Sequence, residues 1–321
     1  MSKSRAVILA LCLILLALWL LTPGKLQGST QRVTPPDNPD AWLASTEASV
    51  AEHYGLVPGT EKRITWFDEQ RPTTYAVVYF HGFSATRQET APLARLVAGA
   101  LGANLFETRL AGHGRQREFL ADVTAEDWLQ DGVEALTIGA MLGQRIIVIG
   151  TSTGATLATA LLDHPAMGAV DALVMLSPNF RPQDSNAAWL TRPAGPLLAR
   201  ALVGDTQSWE PHNELQARYW STTYPLDSVV EMMRLVDRAN RLLPAEIPQR
   251  LLLLYSNEDA VVSPEAALSV FEQTSAPQKA AIEIGDADDP SHHVLAGDVL
   301  SPASTRRIAA DIVEFISRPV P

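Results

Sequence analysis

Short blocks of consecutive hydrophobic residues alternate along the chain with longer stretches in which hydrophobic residues recur every three or four positions. We expect the blocks to form strands: buried ones at residues 75–80, 145–149, 172–176 and 251–255, a short one at 104–108 and a last one at 280–284. The periodic stretches predict helices, at residues 91–101, 124–141, 153–163 and 303–317. Buried strands that alternate with helices predict a mostly parallel sheet with helices on both faces.

Two helix starts carry recognisable signals. Thr90 is a candidate N-cap for the helix at 91–101, and Pro92 is tolerated there because it falls in the first turn. Thr124 is followed by Asp127 three residues later, which predicts a capping box at the start of the next helix.

The first 22 residues have a different pattern. Lys3 and Arg5 precede an apolar run over residues 6–21, which predicts a signal anchor or a signal peptide over 1–22. The run is shorter than the ~20 residues of a usual transmembrane helix, and no convincing small-residue cleavage site follows it. These features favour attachment to a membrane by the N-terminal segment, with the body on the non-cytoplasmic side; secretion after cleavage is the alternative.

A Pro- and Gly-rich stretch over residues 23–40 predicts a linker, so we expect the folded domain to occupy 41–321. The composition then restricts its partners. The chain has 25 Lys and Arg against 36 Asp and Glu, and its net charge of −11 argues against binding nucleic acid, which needs clustered cations. The single cysteine, Cys12, lies in the apolar run, so no disulfide or cysteine metal site is expected in the domain.

Residues 150–154 read Gly-Thr-Ser-Thr-Gly and lie between a predicted strand and a predicted helix. This context predicts a sharp turn that exposes the hydroxyl of Ser152 as a nucleophile. Gly150 and Gly154 would avoid collisions within the turn. The backbone N–H of Thr153 is expected to stabilise a developing oxyanion at the start of the helix. A Gly/Ser/Thr turn without a catalytic role is the alternative interpretation.

The first predicted strand ends at His81, Gly82 and Phe83. We expect the N–H of Phe83 to be the second donor of the oxyanion hole. His81 could serve as a base, but a structural role, in which its ring binds the loop backbone, is favoured. A second His-Gly pair, His113 and Gly114, is also expected to shape a loop.

A serine nucleophile requires an imidazole that accepts its proton and a carboxylate that orients the imidazole. The acid is expected after the strand at 251–255, where Asp259 is favoured and Glu258 is the alternative. The base is expected after the last strand, where His293 is favoured and His292 is the alternative.

Three carboxylates, Asp286, Asp288 and Asp289, lie just before the two histidines and could form a metal cluster with them. We interpret them instead as an acidic surface loop, because their spacing does not define a metal-ligand geometry. No metal is therefore expected.

In this order the motifs resemble the α/β-hydrolase superfamily, and especially its carboxylesterase and monoacylglycerol-lipase-like group, also called the serine aminopeptidase-like hydrolases. The resemblance covers about residues 60–318 and is carried by the segments 81–84, 112–114 and 150–154, by Asp259 and by 293–295. It implies the α/β-hydrolase fold, a triad of Ser152, Asp259 and His293, an oxyanion hole at Phe83 and Thr153, and no cofactor.

The connection between the strands at 172–176 and 251–255 is longer than an α/β unit needs. Because α/β-hydrolases insert a cap at this place, we expect a helical cap at about 180–248, made of short helices and loops. It is rich in large apolar side chains, which could form a mobile lid or the core of the cap itself: Trp189, Trp209, Tyr219, Trp220, Tyr224, Met232 and Met233.

These features together predict a serine hydrolase that cleaves a carboxylic ester of a small or lipid-like molecule. A peptidase or amidase of the same fold is an alternative, for which Glu210, Glu214 and Asp227 are candidates to bind a peptide amine. A binding protein without catalysis is the other alternative, because the fold alone does not establish activity.

Overall fold

The structure is a computed structural model that describes residues 23–28 and 33–319. Its strands are β1 (Arg63–Thr65), β2 (Thr73–Phe80), β3 (Asn104–Glu107), β4 (Gly143–Thr151), β5 (Val170–Leu176), β6 (Thr206–Ser208), β7 (Thr223–Pro225), β8 (Arg250–Tyr255) and β9 (Lys279–Glu283). Its α-helices are α1 (Pro39–Tyr54), α2 (Leu93–Leu101), α3 (Ala125–Leu142), α4 (Thr153–Ala160), α5 (Gly195–Val203), α6 (Glu214–Tyr219), α7 (Leu226–Leu242), α8 (Pro264–Gln273) and α9 (Pro302–Ser317). Each predicted strand and helix is present, with its ends shifted by a few residues.

The main sheet has the order β1-β3-β2-β4-β5-β8-β9. All its neighbouring strands are parallel except β1, which pairs antiparallel with β3 at the edge. Because these strands run in the same direction, their carboxyl ends meet along one edge of the sheet, and crossover connections join them. This topology confirms the predicted fold class.

The central strands are buried on both faces, which explains their nearly continuous hydrophobic sequences. Successive side chains point to opposite faces of a strand, so Ala76, Val78 and Phe80 of β2 pack in one core with α3, α4 and α7. Val77 and Tyr79 pack in the other core, together with α2 and α9.

The helix starts partly follow the expected signals. Thr124 and Asp127 form the capping box predicted for α3, with bonds in both directions between side chain and backbone. Thr90 does not cap α2, because that helix begins two residues later than expected, at Leu93. The α1 and α8 helices were not predicted, although Asn38 and Ser263 cap them and a proline follows each cap.

Residues 177–249, which we call the β5–β8 segment, connect two neighbouring strands of the sheet. The segment contains α5, α6, α7 and the small antiparallel β6–β7 pair. The expected short helices and loops describe its first half. Its second half is dominated by α7, whose 17 residues pack mainly on α4 and bury Met233, Leu235 and Val236 in the core that contains Val78.

The expected membrane segment, residues 1–22, lies outside the described residues. Within residues 23–28 and 33–319 no helix has both the length and the apolar character to cross a bilayer, which takes ~20 residues. The predicted attachment to a membrane through the N-terminal segment, with the body on its non-cytoplasmic side, is therefore wrong as an assignment. The alternative, secretion after cleavage, also concerns residues 1–22 and lies outside the described residues.

Candidate active site

Ser152 lies between the end of β4 and the start of α4, with backbone angles φ 51° and ψ −119°. A positive φ is unfavourable for a residue with a side chain, and such strain costs about 1–3 kcal/mol. The Ser152 N–H donates to the carbonyl of Leu176 in the neighbouring strand, at 2.8 Å, which helps to hold the turn. The chain thus reverses direction at Ser152, at the carboxyl edge of the sheet.

The two glycines of this turn are required by close approach of the backbone. A Cβ at Gly154 would overlap the carbonyl oxygen of Phe80, and one at Gly150 would lie 2.7 Å from the backbone of Ala155. Neither neighbour is the movable end of a side chain, so any larger residue would force the turn apart. The structure therefore gives both predicted glycines a steric reason.

The structure brings Asp259 and His293 together. The carboxylate of Asp259 accepts a hydrogen bond from Nδ1 of His293 at 2.8 Å, and both side chains are buried. The other carboxylate oxygen of Asp259 accepts from the N–H groups of Val261 and Val262 at 2.8 and 2.9 Å. Because Nδ1 is bound to the carboxylate, Nε2 is the nitrogen left to exchange a proton with a substrate or nucleophile.

Burial lowers the pKa of His293, but the charge and hydrogen bond of Asp259 raise it by more. The charges of Glu89 and Asp289 raise it further. The pKa of His293 therefore lies above the usual value for histidine. The carboxylates around His293 would strengthen its imidazole as a base.

The two alternative residues, Glu258 and His292, contact each other rather than the favoured pair. Nε2 of His292 lies 3.2 Å from a carboxylate oxygen of Glu258, and the Glu258 side chain is exposed. This second acid–histidine pair lies at the protein surface. The structure thus separates a buried pair from an exposed one along the same two loops.

Asp289 differs from the expected acidic surface loop, because it is only 1% exposed. Its carboxylate accepts from the N–H groups of His293 and Val294 at 3.0 and 2.8 Å, and from the hydroxyl of Ser291 at 2.6 Å. The expectation fails for Asp289 because its charge is compensated by backbone donors of the following turn. Asp286 is exposed as expected and pairs with Arg307.

The loop after β2 places Phe83 beside Ser152 in the wall of one cavity. The N–H groups on either side of Phe83 are engaged: that of Gly82 donates to Glu89 at 2.8 Å, and that of Ser84 donates to Nε2 of His113 at 3.1 Å. These bonds fix the peptide planes that flank the Phe83 N–H. They hold the loop in one conformation without using the two donors, Phe83 and Thr153, expected in the oxyanion hole.

His81 and His113 both support this loop. The Nε2 atom of His81 accepts from the N–H of Leu110 at 3.0 Å, while its Nδ1 bonds the carbonyl of Gly82 at 2.9 Å. Burial lowers the pKa of His81 to about 4 and that of His113 well below its usual range. Both rings are therefore neutral near pH 7, and each uses one nitrogen as an acceptor. This arrangement matches the structural role expected for His81.

Glu89 was missed by the sequence analysis. It is buried beside residues 81–84, which we call the oxyanion loop after the role expected for Phe83, and burial raises its pKa to about 7. No motif marked it, because its partner is a backbone N–H seven residues earlier in the chain. A lone Glu between the polar residues 86–90 is ordinary for a surface loop.

The cavity above Ser152 has a volume of about 360 Å³ and also contains the side chain of His293. Its wall is largely apolar. The β5–β8 segment supplies nine of the lining residues: Asn179, Pro182, Trp209, His212, Gln216, Trp220, Tyr224, Val229 and Met232.

The carboxylates considered for binding a peptide amine do not line this cavity. Glu210 and Glu214 are exposed, and Asp227 pairs with Arg200 on the outside of the segment. Among the described residues, no group of His, Cys, Asp and Glu side chains is arranged to hold a metal ion.

Comparison with known families assigns the chain. The family described as serine aminopeptidase, S33, matches residues 71–287, which is more than half of the sequence. The chain belongs to this family. The match runs from the start of β2 to the loop after β9, and it includes Ser152 and Asp259 but stops short of His293.

Relatives of this serine aminopeptidase family member include a thermostable monoacylglycerol lipase from Bacillus sp. (strain H-257). It is 27% identical over 266 residues, which cover 80% of this chain and 96% of the relative. The relationship supports the predicted class of enzyme, a lipase-like ester hydrolase.

Solved structures share the fold of this family member. Similar chains include a structure from a study of LipS and LipT, two metagenome-derived lipolytic enzymes, with a TM-score of 0.67 and 20% identity over 81% of this chain and 98% of the other. A monoacylglycerol lipase from Paleococcus ferrophilus has a TM-score of 0.60 and 17% identity, over 79% of this chain and 97% of the other. At these identities the likeness establishes the α/β-hydrolase fold.

Proposed function

We propose that the protein hydrolyses carboxylic esters of the monoacylglycerol type, through a triad of Ser152, His293 and Asp259 and a covalent acyl-enzyme. The observation that carries this proposal is the buried 2.8 Å bond between His293 and Asp259, in a cavity that also exposes Ser152. The surface pair, His292 and Glu258, has no comparable access to Ser152.

In the first step, His293 accepts the proton of the Ser152 hydroxyl at Nε2 while the serine oxygen attacks the ester carbonyl. The N–H groups of Phe83 and Thr153 donate to the carbonyl oxygen as it becomes negative. His293 then gives its proton to the departing alcohol, which leaves an acyl group on Ser152. A water molecule that loses its proton to His293 attacks this acyl group and releases the acid.

Asp259 has two functions in this scheme. Its bond to Nδ1 holds the ring with Nε2 towards Ser152, and its charge stabilises the imidazolium that forms in each step. Its second oxygen is held by two backbone N–H groups, so the carboxylate keeps its position while the ring changes charge. The raised pKa of His293 is consistent with this electrostatic support.

The proposed substrate class rests on the cavity and on the relatives together. Apolar and aromatic side chains line most of the cavity, which suits an acyl chain better than a charged peptide end. Two of the similar proteins reported above are named monoacylglycerol lipases. We extend that substrate class to this chain as part of the proposal.

We also propose that the β5–β8 segment is the cap of the hydrolase domain, corresponding to the insertion expected at about residues 180–248. It covers the cavity from the side opposite the sheet, and α7 contributes Val229 and Met232 to the lining. The proposed division of the chain is residues 1–22, 23–40 and 41–321, although α1 already begins at Pro39 and Leu26 of the middle stretch is buried in a core of the domain.

The test uses the full chain with a fluorophosphonate probe, which labels activated serines, and with a panel of monoacylglycerols and p-nitrophenyl esters. Ser152→Ala and His293→Ala are each expected to lose labelling and at least about 10⁴-fold in kcat. Ser269→Ala and His53→Ala alter exposed residues of the same types and serve as controls. A folded Ser152→Ala protein that keeps its esterase activity would overturn the proposal.

A further inference from the structure

One buried carboxylate near Ser152 has no role in the proposed triad. Glu89 is 2% exposed, and one of its oxygens accepts from the Gly82 N–H at 2.8 Å and from the Tyr79 hydroxyl at 3.1 Å. A buried carboxylate is costly unless its oxygens are bonded, and here the donors belong to the oxyanion loop and to β2.

The bonds of Tyr79 extend this contact to the turn at residues 150–154, which we call the nucleophile turn. The Tyr79 hydroxyl also lies 3.3 Å from the hydroxyl of Thr151, the residue before Ser152. A continuous series of hydrogen-bond contacts therefore runs from Gly82 through Glu89 and Tyr79 to Thr151. It links the two backbone segments that carry the proposed oxyanion donors.

Glu89 is also close to the reacting groups. A Cβ at Gly82 would lie 2.6 Å from Oε1 of Glu89 and 3.3 Å from Cβ of Ser152, so the glycine is sandwiched between these two side chains. Glu89 lines the same cavity as Ser152 and His293. The loop that follows His293 packs on the Glu89 backbone, where a Cβ at Gly297 would lie 2.5 Å from the Glu89 carbonyl oxygen.

We propose that Glu89 is a positioning residue of this active site, which ties the oxyanion loop to the nucleophile turn and supports the protonated form of His293 by its negative charge. The inference rests on the proposed function and extends it to a second carboxylate. Glu89 acts through Gly82 and His293, and no bond to Glu89 forms or breaks in the reaction.

Several charged or titratable groups face this pair. Asp259 approaches His293 from the loop after β8, and Asp289 from the loop that carries His293 itself. Tyr79 approaches Glu89 from β2, and His212 lines the cavity from the β5–β8 segment. His293 and Glu89 act on each other's pKa in the expected sense: the carboxylate raises that of the imidazole, and the imidazolium lowers that of the carboxyl.

The decisive experiment is the pH dependence of kcat/KM for Glu89→Gln. The glutamine oxygen can still accept from Gly82, but its side chain carries no charge. Catalysis requires neutral His293. The imidazolium favours the charged form of Glu89, so loss of this carboxylate lowers the pKa of the imidazole. The acidic limb of the profile should therefore move to lower pH, by about half a pH unit or more, with kcat above pH 8 within about threefold of the parent enzyme.

Two further variants separate the bond from the charge. Glu89→Leu leaves the Gly82 N–H buried without an acceptor, so kcat should fall by about 10- to 100-fold with a smaller change in KM. Tyr79→Phe keeps the bond to Gly82 but cuts the link to Thr151, so kcat should fall by about 3- to 10-fold. If Glu89→Leu does not fold, Glu89→Gln still tests the role of the charge and Tyr79→Phe still tests the positioning role.

Glu107→Gln is the matched control. Glu107 is also 2% exposed, but it faces Arg87 at 3.7 Å and is not among the charges that act on His293. The acidic limb of the kcat/KM profile of Glu107→Gln should coincide with that of the parent enzyme.

An acidic limb of Glu89→Gln that superimposes on the parent profile would overturn the charge role, and unchanged kcat in Glu89→Leu and Tyr79→Phe would overturn the positioning role. Fluorophosphonate labelling of the parent protein separates this failure from a failure of the proposed function. If Ser152 is labelled and esters are hydrolysed, only the role of Glu89 is rejected. If the folded parent is neither labelled nor active, the proposed function and the inference fall together.

Discussion

The two sides of the cavity are built in different ways. On the sheet side, which we call the floor, each important group is fixed by buried hydrogen bonds: Asp259 by Val261 and Val262, and His293 by Asp259 and Asp289. The β5–β8 segment forms the opposite wall mainly with apolar and aromatic side chains. On its outer surface it exposes further apolar residues, including Trp189 at 65% and Leu202 at 83%.

This difference separates orientation from selection. Hydrogen bonds are directional and fix an atom to within a few tenths of an ångström, which proton transfer requires. Apolar contact is not directional and scales with the area covered, so it favours a class of substrate without fixing one pose. We therefore expect substitutions in the floor to change kcat strongly, and substitutions in the wall to change the preference among substrates modestly.

The largest effect is expected for Asp259→Asn. The amide oxygen can still accept from Val261 and Val262, so the fold should persist, but the charge that orients and supports His293 is lost. We expect kcat to fall by about 10³- to 10⁴-fold in steady-state assays. Glu258→Gln, next in the chain, is the control and should stay within about twofold of the parent, because the exposed pair of Glu258 and His292 contributes little. Equal losses in the two variants would contradict the assignment of the acid.

A smaller effect is expected for Asp289→Asn. One oxygen of Asp289 accepts from the Ser291 hydroxyl and from the His293 and Val294 N–H groups, and an amide oxygen can replace it. The other oxygen becomes an NH2 group, so the part-buried Ser291 N–H loses its acceptor and meets a second donor. We expect a loss of about 1–3 kcal/mol in the free energy of unfolding and a kcat about tenfold lower.

Asp286→Asn removes a neighbouring charge at the surface and provides the comparison for this variant. Chemical denaturation should show a change below about 1 kcal/mol for it. Equal losses in the free energy of unfolding for Asp289→Asn and Asp286→Asn would show that the buried hydrogen bonds of Asp289 stabilise the floor no more than a surface charge does.

The smallest effect is expected in the wall, for Trp209→Ala. Removing part of the apolar lining should lower kcat/KM by about three- to tenfold for esters with long acyl chains, and less for acetate esters. Trp189→Ala changes the same residue type on the outer surface, where it does not line the cavity. A series of p-nitrophenyl esters of increasing chain length measures both. A uniform loss of kcat across the series would mean that Trp209 acts on the floor instead.

The same division explains what could be predicted from the sequence. The strands and the turn at Ser152 have local signals, because burial on both faces demands continuous apolar residues and the sharp turn demands glycines at 150 and 154. Asp259 and His293 each follow a strand, and the carboxyl ends of parallel strands meet at one edge of the sheet, so their positions in the sequence also predict that they lie near Ser152. The carboxylates Glu89 and Asp289 have no such signal, since their partners are backbone N–H groups that only the folded loops bring near.

The unpredicted helices form a different case. Asn38-Pro39 and Ser263-Pro264 are ordinary helix starts, in which a capping side chain precedes a proline, and this local signal is sufficient to predict α1 and α8. The prolines around α1 were instead interpreted as part of a linker. The sequence of the β5–β8 segment has no periodic pattern strong enough to separate α5, α6 and α7, and tertiary packing, which places α7 on α4, decides where they lie.

The attachment of residues 23–28 affects where this protein can be shortened. Leu26 is 2% exposed and lies in the core that also contains α3, α4 and α7. Two side chains of α7 hold this stretch: Arg234 donates to the Gly24 carbonyl and Arg241 to the Leu26 carbonyl, both at 2.9 Å. A chain trimmed to begin at residue 41 would therefore uncover a patch of α7, the helix that carries Val229 and Met232 into the cavity. Trimming ahead of residue 23 would leave that contact whole, so the boundary chosen for expression decides whether the wall keeps its outer support.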